Sequence, residues 1–189
     1  MAYLIIIIVL ATITTLINII ANPSEISFYY YIIATVAYIL IVVLIDGIVA
    51  LIIRKMPEKW FDENKPIFNL GKKEKKFYEK IGIRKWKDYV LDLGQFTHFK
   101  KNKIENPRSN EYLKRYMLEA CYGIIIHFVS FPLSFLILFI NYPGTTIYLT
   151  IGLPVAIVNS ILIILPAFTL KYNLARLKIL YKRNNTITS

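Results

Sequence analysis

One apolar run of the sequence, from about Tyr116 to Ile140, has polar residues at three- and four-residue intervals. Residues at this spacing share one face of an α-helix. The stripe contains an imidazole, which can act as a general base near neutral pH. The sequence therefore predicts His127 as a catalytic residue, with Glu119, eight residues before it, as a second candidate. The complete stripe is Tyr116, Glu119, Gly123, His127, Ser130 and Ser134.

A further carboxylate in an apolar run is Asp46, seven residues before the end of the run at about 28–53. At about 1.5 Å per residue, Asp46 lies roughly 11 Å from the end of its helix, and His127 lies roughly 15 Å from the start of its own. If both ends face the same side, the two side chains reach similar depths. The carboxylate would then hold the imidazole in one tautomer. The sequence leaves open whether His127 pairs with Asp46 or Glu119, and Glu119 has a second interpretation as the counter-ion of Arg115, four residues earlier.

The basic residues indicate which helix ends face the same side. All 23 Lys and Arg residues lie either between Arg54 and Arg115 or between Lys171 and Arg183. Because basic segments stay cytoplasmic, an even number of crossings must precede and separate them. We therefore expect an all-α integral membrane protein, with four transmembrane helices and a basic, partly helical cytoplasmic loop between helices 2 and 3. The expected single membrane domain has helices at about 3–21, 28–53, 116–140 and 145–170, a loop at 54–115, a tail at 171–189, and both termini in the cytoplasm.

Composition agrees with a membrane location and narrows the class of partner. A hydrophobic content of 56% and a mean hydropathy of +0.50 exclude an ordinary soluble domain. The net charge of +11 lies beside apolar runs, so we expect anionic lipids or phosphorylated molecules as partners rather than nucleic acid. Cys121 is the only cysteine, which excludes an internal disulfide. The sequence has no zinc-type spacing and no phosphate-binding glycine loop, so no metal is expected.

Polar residues in the other apolar runs have two interpretations. Asn159 lies with small residues and Pro166 along one side of predicted helix 4, which makes it a candidate substrate-binding residue. Small residues also let membrane helices approach closely, and Ser, Thr and Asn side chains form hydrogen bonds between them. This packing interpretation applies to Asn159 and equally to Thr15, Asn18, Thr35 and Ser134.

The cytoplasmic segment contains the most specific run, Arg84-Lys85-Trp86-Lys87-Asp88. Its lysines and its tryptophan, together with Trp60 upstream, are typical of residues at the level of lipid headgroups. Asp88 and Asp92 are four residues apart, so they are candidates for an acid/base pair or a divalent-ion site, with a solvated helix face as the alternative. The surrounding pattern predicts an amphipathic helix over Glu74–Val90. Its apolar face would consist of Phe77, Ile81, Trp86, Tyr89 and Val90.

Four short runs resemble, in order and spacing, those of one bacterial family, the glycosyl-4,4'-diaponeurosporenoate acyltransferases of staphyloxanthin-type carotenoid synthesis. That family has a Pro–acid–Lys–aromatic–Phe turn after a membrane helix, as in Pro57–Phe61. It then has an Arg-Lys-Trp-Lys block ahead of a Leu-(Asp or Pro)-Gly stretch, as in Arg84–Lys87 and Leu91–Gly94. A Glu eight residues before a His and a final Tyr-Asn-x-x-Arg complete the pattern, as at 119–127 and 172–176.

The resemblance covers about residues 54–183 and implies transfer of a fatty acyl group to a hydroxyl of a membrane-embedded, glycosylated lipid. The chain departs from the family pattern at three positions. Tyr122 and Ile124 stand where the family has an Arg and a second Glu, and Leu174 stands where it has an Arg. These departures remove charge near the expected site, which leaves a different acceptor open.

The implied activity assigns roles to the candidate residues. His127, held by Asp46 or Glu119, would deprotonate the acceptor hydroxyl, which attacks an acyl thioester. Acyl-CoA or acyl carrier protein is the possible donor, and no cofactor would be bound permanently. Lysines of the Arg84–Lys87 block or the amide of Asn173 would stabilise the oxyanion. The alternative is a non-catalytic scaffold or anionic-lipid-binding protein, in the same bacterial cell membrane. The candidate catalytic residues are His127, Glu119, Asp46 and Asp88, and the candidate substrate-binding residues are Arg84, Lys85, Trp86, Lys87, Asp92, Asn159, Tyr172, Asn173 and Arg176.

Overall fold

The computed structural model describes residues 2–21, 28–90, 104–140 and 146–188, and within these ranges it has helices and turns but no β-strand. The all-α class is therefore confirmed for the described residues. The α-helices are α1 (Ala2–Ala21), α2 (Phe28–Lys55), α3 (Lys72–Lys80), α4 (Ile83–Trp86), α5 (Asn110–Leu133) and α6 (Leu153–Thr188). Short 3₁₀-helices cover Glu58–Phe61, Pro66–Phe68, Lys87–Tyr89 and Ser134–Phe139, and a π-helix covers Tyr148–Gly152.

Three helical segments of the described chain are long and apolar enough to cross a membrane: Tyr29–Lys55, Asn110–Phe139 and Tyr148–Thr186. The shortest has 27 residues, whereas about 20 helical residues cross the hydrocarbon core. The protein therefore has the helices of a membrane protein. The fourth predicted crossing, over α1, stays a prediction, as does the cytoplasmic position of both termini.

The chain divides into two compact units. Unit 1 consists of Met1–Leu51 and Phe128–Ile163, and unit 2 consists of Ile52–His127 and Ile164–Ser189. Unit 2 contains all 23 Lys and Arg residues and ten of the twelve Asp and Glu residues. Most residues that could carry chemistry therefore belong to unit 2.

Unit 1 is stabilised by apolar packing and by hydrogen bonds between its helices. The hydroxyls of Thr15 on α1 and Thr35 on α2 share a hydrogen bond of 2.5 Å. The buried Asn159 donates from Nδ2 to the Ser134 hydroxyl at 2.9 Å, and Ser134 donates to a carbonyl one turn earlier. These contacts agree with the packing interpretation of these four residues. The substrate-binding role of Asn159 stays a prediction.

Helix α5 begins earlier and ends earlier than the predicted helix 3. The Ser109 hydroxyl accepts a hydrogen bond of 3.2 Å from the Tyr112 amide, so Ser109 caps the helix and sets its first residue at Asn110. Near the other end, Pro132 lacks the N–H that an α-helix requires. The α-helix ends at the next residue, and the chain continues as a 3₁₀-helix to Phe139.

Helix α6 continues through the segment predicted as a tail. Its 36 residues give a length of about 54 Å, well beyond the hydrocarbon core of about 30 Å. After Lys171, apolar residues still recur at helical spacing, and Tyr172, Leu174 and Leu177 are buried. The charged end of α6 is therefore part of the core of unit 2.

The prediction of one continuous helix over Glu74–Val90 is wrong, because the segment contains several shorter helices. The chain turns at Gly82, which has φ of 68° and ψ of 33° and separates α3 from α4. This left-handed conformation ends a helix and favours glycine, because a Cβ would be strained there. The buried side chains are consequently Tyr78 and Ile83, whereas Tyr89 of the predicted apolar face is exposed.

Candidate functional site

The first polar group of unit 2 surrounds Glu119 on α5, and we call Arg54, Glu58, Arg115 and Glu119 the Glu119 cluster. The Glu119 side chain is only 9% exposed, and each of its oxygens has its own guanidinium partner. Arg54 donates from Nη1 to Oε2 at 2.8 Å, and Arg115 donates from Nη2 to Oε1 at 2.9 Å. Arg115 also lies 3.4 Å from Glu58. The ion pair with Arg115 is the one the sequence suggested, and Arg54 is a partner that sequence reasoning missed.

Aromatic packing brings the Pro57–Phe61 run to the same end of α5. The ring of Phe61, which is buried, lies 4.3 Å from the ring of Tyr122, centroid to centroid. The Arg54 guanidinium lies 5.8 Å from the centre of the Tyr122 ring, within the range of a cation–π contact. The run after α2 and the Glu119 motif, far apart in sequence, are therefore neighbours in unit 2.

His127, which is half-buried, lies two turns further along α5, about 12 Å from Glu119 along the helix axis. The Glu119 carboxylate is bound by Arg115, which is one turn away in the opposite direction. Both oxygens of Glu119 thus have a structural role that does not involve His127. Asp46 is half-buried on α2 and belongs to unit 1, so its pairing with His127 stays a prediction.

Between Glu119 and His127, a glycine allows a close approach of α6. A Cβ built on Gly123 would lie 2.6 Å from Cδ1 of Leu170, which is shorter than real contacts of a Cβ atom. The glycine in the predicted stripe therefore has a packing role in unit 2.

The second polar group of unit 2 holds Arg84 against α6. Arg84 donates from Nε to the Tyr172 hydroxyl at 2.9 Å and from Nη2 to Glu79 at 3.3 Å. The hydrogen bond with Tyr172 raises the pKa of the Arg84 guanidinium above its usual value. Tyr172 is buried, whereas the Arg84 side chain is 69% exposed. The arrangement fixes one edge of the guanidinium and leaves its other edge open to solvent.

The core that contains Tyr172 has further hydrogen bonds and an ion pair around it. Trp86 donates from Nε1 to the Ile81 carbonyl at 2.9 Å. Tyr78 donates to Glu74 at 2.6 Å, and the Lys171 ammonium lies 3.0 Å from the same carboxylate. Burial, together with the hydrogen bond to Glu74, raises the pKa of Tyr78, so its hydroxyl stays a donor. The core around these groups consists of Tyr78, Ile83 and Tyr172, with Leu70, Ile81, Trp86 and Phe168 packed against it.

The other predicted residues of the cytoplasmic run differ in exposure, because the Lys87 side chain is only 14% exposed whereas Lys85 and Asp88 are exposed. Asp88 is 56% exposed, and Lys87 pairs with it at 2.9 Å, which agrees with the solvated interpretation of Asp88. Lys85 is exposed as well. Asp92 and the Leu91–Gly94 stretch lie outside the described residues, so the proposed Asp88–Asp92 pair stays a prediction.

Helix α6 contributes the remaining candidates. Arg176, which is exposed, lies one turn after Tyr172 on the same face of the helix, and Asn173 is half-buried beside it. Sequence reasoning missed Lys178, which donates to the Glu63 carbonyl and, at 2.8 Å, to Oδ1 of Asn69. The helical spacing of charged and apolar residues after position 171 was the signal that could have identified it.

A turn at Asp62, directly after the Pro57–Phe61 run, is held by a side-chain carboxylate. Oδ1 of Asp62 accepts a hydrogen bond of 2.8 Å from the Asn64 amide, and this bond lowers the pKa of Asp62. In the ranges that the structure describes, no group of three His, Cys, Asp or Glu side chains is arranged to hold a metal ion.

Comparisons with known proteins identify a family for most of this chain. Neither the curated proteins nor the solved structures give a significant match. A family model, that of glycosyl-4,4'-diaponeurosporenoate acyltransferase, matches residues 57–183, about two thirds of the chain. The match begins at the run that packs on Tyr122 and ends within the charged part of α6. The chain therefore belongs to the glycosyl-4,4'-diaponeurosporenoate acyltransferase family, the family that its four motifs resemble.

Proposed function

We propose that this protein transfers a fatty acyl group from an acyl thioester to a hydroxyl of a membrane glycolipid. The observation that carries the proposal is the contact between Arg84 and Tyr172. It joins two family motifs that are 88 residues apart in sequence and leaves an exposed guanidinium beside a membrane helix. An exposed guanidinium of fixed orientation is suited to a phosphate-bearing donor.

The proposed reaction uses His127 as the general base. The imidazole accepts the proton of the acceptor hydroxyl while that oxygen attacks the thioester carbonyl carbon. The new C–O bond forms, the C–S bond breaks, and the proton passes to the leaving thiolate. The sequence leaves Asp46 and Glu119 as the two candidates for the group that orients His127, and both oxygens of Glu119 are bound by arginines.

The donor would be bound by the exposed basic residues of unit 2. Arg84 and Lys85 on α4 and Arg176 on α6 are exposed and cationic, so they suit the phosphates of acyl-CoA or of the acyl carrier protein's phosphopantetheine group. Tyr172 is buried and acts as a positioning residue for Arg84, rather than as a contact to substrate. Lys87 or Asn173 would stabilise the oxyanion.

The proposed orientation in a bacterial cell membrane has four crossings, with both termini and the basic segments in the cytoplasm. Its support is the restriction of every Lys and Arg residue to unit 2, together with the positive-inside rule. A reaction centre near the cytoplasmic face would let a water-soluble donor reach a lipid acceptor.

A second candidate function is a non-catalytic scaffold or anionic-lipid-binding protein. The observation that favours it is that two of the predicted catalytic carboxylates have structural explanations. Glu119 is the counter-ion of two arginines, and Asp88 is an exposed partner of Lys87. Under this function, His127 would have no effect on lipid composition.

The test is expression in a host that lacks the protein, followed by mass spectrometry of whole lipid extracts. We expect a lipid that has gained one fatty acyl group with wild type and with Asp88→Asn, and its absence with His127→Ala. Thermal unfolding of the purified variants controls for folding. An acylated lipid at the wild-type level in cells with folded His127→Ala would remove His127 from the mechanism, whereas extracts unchanged by the wild type would favour the scaffold.

A further inference from the structure

Helix α3 has a basic face that the proposed reaction does not use. Lys73, Lys76 and Lys80 recur at three- and four-residue spacing and therefore lie on one side of the helix. All three are exposed, and none of them is ion-paired with a carboxylate in the part of the chain that the structure describes. Tyr78 faces the other way and is buried in unit 2.

Aromatic contacts place α3 at the end of a membrane span. The rings of Tyr78 and Phe77 lie 5.1 Å and 6.0 Å from the ring of Phe168 on α6, centroid to centroid. Phe168 precedes Lys171, the first charged residue after the apolar run, by three residues, or about 4.5 Å along the axis. The Lys171 ammonium pairs with Glu74 of α3. Helix α3 therefore lies where the apolar part of α6 ends.

An exposed aromatic side chain lies among the lysines. Phe77 is 48% exposed and is four residues after Lys73 and three before Lys80, so the three side chains are neighbours on the helix surface. An aromatic ring between lysines is the composition of a helix at a lipid surface. The ring enters the headgroup boundary, and the long lysine stems let the ammonium groups reach phosphates.

We infer that α3 binds anionic lipid headgroups through Lys73, Lys76 and Lys80, with Phe77 at the boundary of the hydrocarbon. The anionic surface of the cytoplasmic leaflet attracts basic side chains that lie within a Debye length of it. Helix α3 lies where the apolar part of α6 ends, and its Phe77 ring is exposed. Both features favour a lipid over a soluble acidic protein as the ligand of the three lysines. The inference does not depend on acyl transfer, so either can fail without the other.

Trp86 is a built-in reporter for this test, because its indole binds the carbonyl of Ile81 directly after α3. A Trp60→Phe background leaves Trp86 as the only tryptophan of the chain. The full-length protein is reconstituted in phosphatidylcholine vesicles that contain increasing fractions of brominated phosphatidylglycerol or of brominated phosphatidylcholine. Because each lysine near an anionic surface favours binding by a factor of about five, half-maximal quenching should need a several-fold lower fraction of the phosphatidylglycerol.

The triple variant Lys73→Gln, Lys76→Gln and Lys80→Gln should lose this preference, and the corresponding triple Arg variant should keep it. About 0.5 M salt should weaken the preference in the wild type. The control variant carries Arg108→Gln, Lys182→Gln and Arg183→Gln, which change the net charge by the same amount. These three residues are exposed elsewhere in unit 2, so the control should behave as wild type. Equal quenching by the two lipids in the wild type, or an equal loss in the control variant, would overturn the inference.

Discussion

The two arginines that bind Glu119 should be coupled in stability. Replacing Arg54 or Arg115 alone by Met leaves the other guanidinium to neutralise the carboxylate and retains an apolar stem at each site. Replacing both leaves a carboxylate that is 9% exposed without either partner. We therefore expect the double variant to lose more stability than the sum of the single variants.

The magnitude follows from the exposure of each group. The Arg54 and Arg115 side chains are 42% and 50% exposed, so each single loss should be about 1 kcal/mol, below the 1.5–3 kcal/mol of a fully buried charged hydrogen bond. Arg54 should cost slightly more, because it also contacts the Tyr122 ring. Leaving a buried carboxylate unpaired costs about 3–5 kcal/mol. The coupling free energy, which is the loss in the double variant minus the two single losses, should therefore be about 1–3 kcal/mol.

The assay is equilibrium unfolding in mixed detergent micelles, followed by tryptophan fluorescence. Both tryptophans, Trp60 and Trp86, belong to unit 2 and therefore report on the unit that contains the Glu119 cluster. A double-mutant cycle with Arg84 and Glu79, an exposed pair, should show no measurable coupling. Additive losses for Arg54 and Arg115 would show that the Glu119 carboxylate is hydrated or otherwise paired, and would refute the structural role given to it.

Three further predictions concern the remaining parts of unit 2. Tyr172→Phe should keep the packing of the ring but remove the hydroxyl that holds Arg84. The KM for the acyl donor should therefore rise with little change in kcat. A fall in kcat alone would contradict the positioning role of Tyr172. Gly82→Ala should lower the free energy of unfolding by about 1–2 kcal/mol, because its φ is 68°, whereas Gly71→Ala, at φ of −67°, should be near neutral in the same unfolding assay. The folded-state pKa of Asp62 is lowered, so its carboxylate stabilises the protein above its unfolded pKa, near pH 4, and this stabilisation is lost as pH falls further. In the Asp62→Asn variant, the free energy of unfolding should therefore fall less steeply as the pH is lowered below about 4. The same fall as in the wild type would contradict the role of the Asn64 hydrogen bond.

The membrane helices could be predicted because their signals are local. The start of α2 at Phe28 follows from the apolar run and its flanks, and the Arg115–Glu119 pair follows from the i, i+4 rule. The start of α5 was placed too late, because Tyr116 is the first residue of the apolar run whereas the Ser109 cap lies in a polar segment. The hydrogen bond at the cap, rather than hydropathy, decides that boundary.

The site was less predictable because its contacts are long-range. Arg54 and Glu119 are 65 residues apart, and Arg84 and Tyr172 are 88 apart, so no periodicity joins them. The end of predicted helix 4 was placed at Leu170 because charges begin there. Charge marks the end of the lipid-compatible segment but does not end a helix, and the buried apolar face continues through Leu177.

The continuation of α6 also has a consequence for biosynthesis. Arg84 and its neighbours leave the ribosome 88 residues before Tyr172, against which they pack. At about 5–20 residues per second, this interval lasts roughly 4–18 s. During that time Tyr78 and Ile83, which are buried in the finished protein, have no α6 to cover them. The order of synthesis therefore leaves these two apolar side chains without their final packing partners until the last helix is complete.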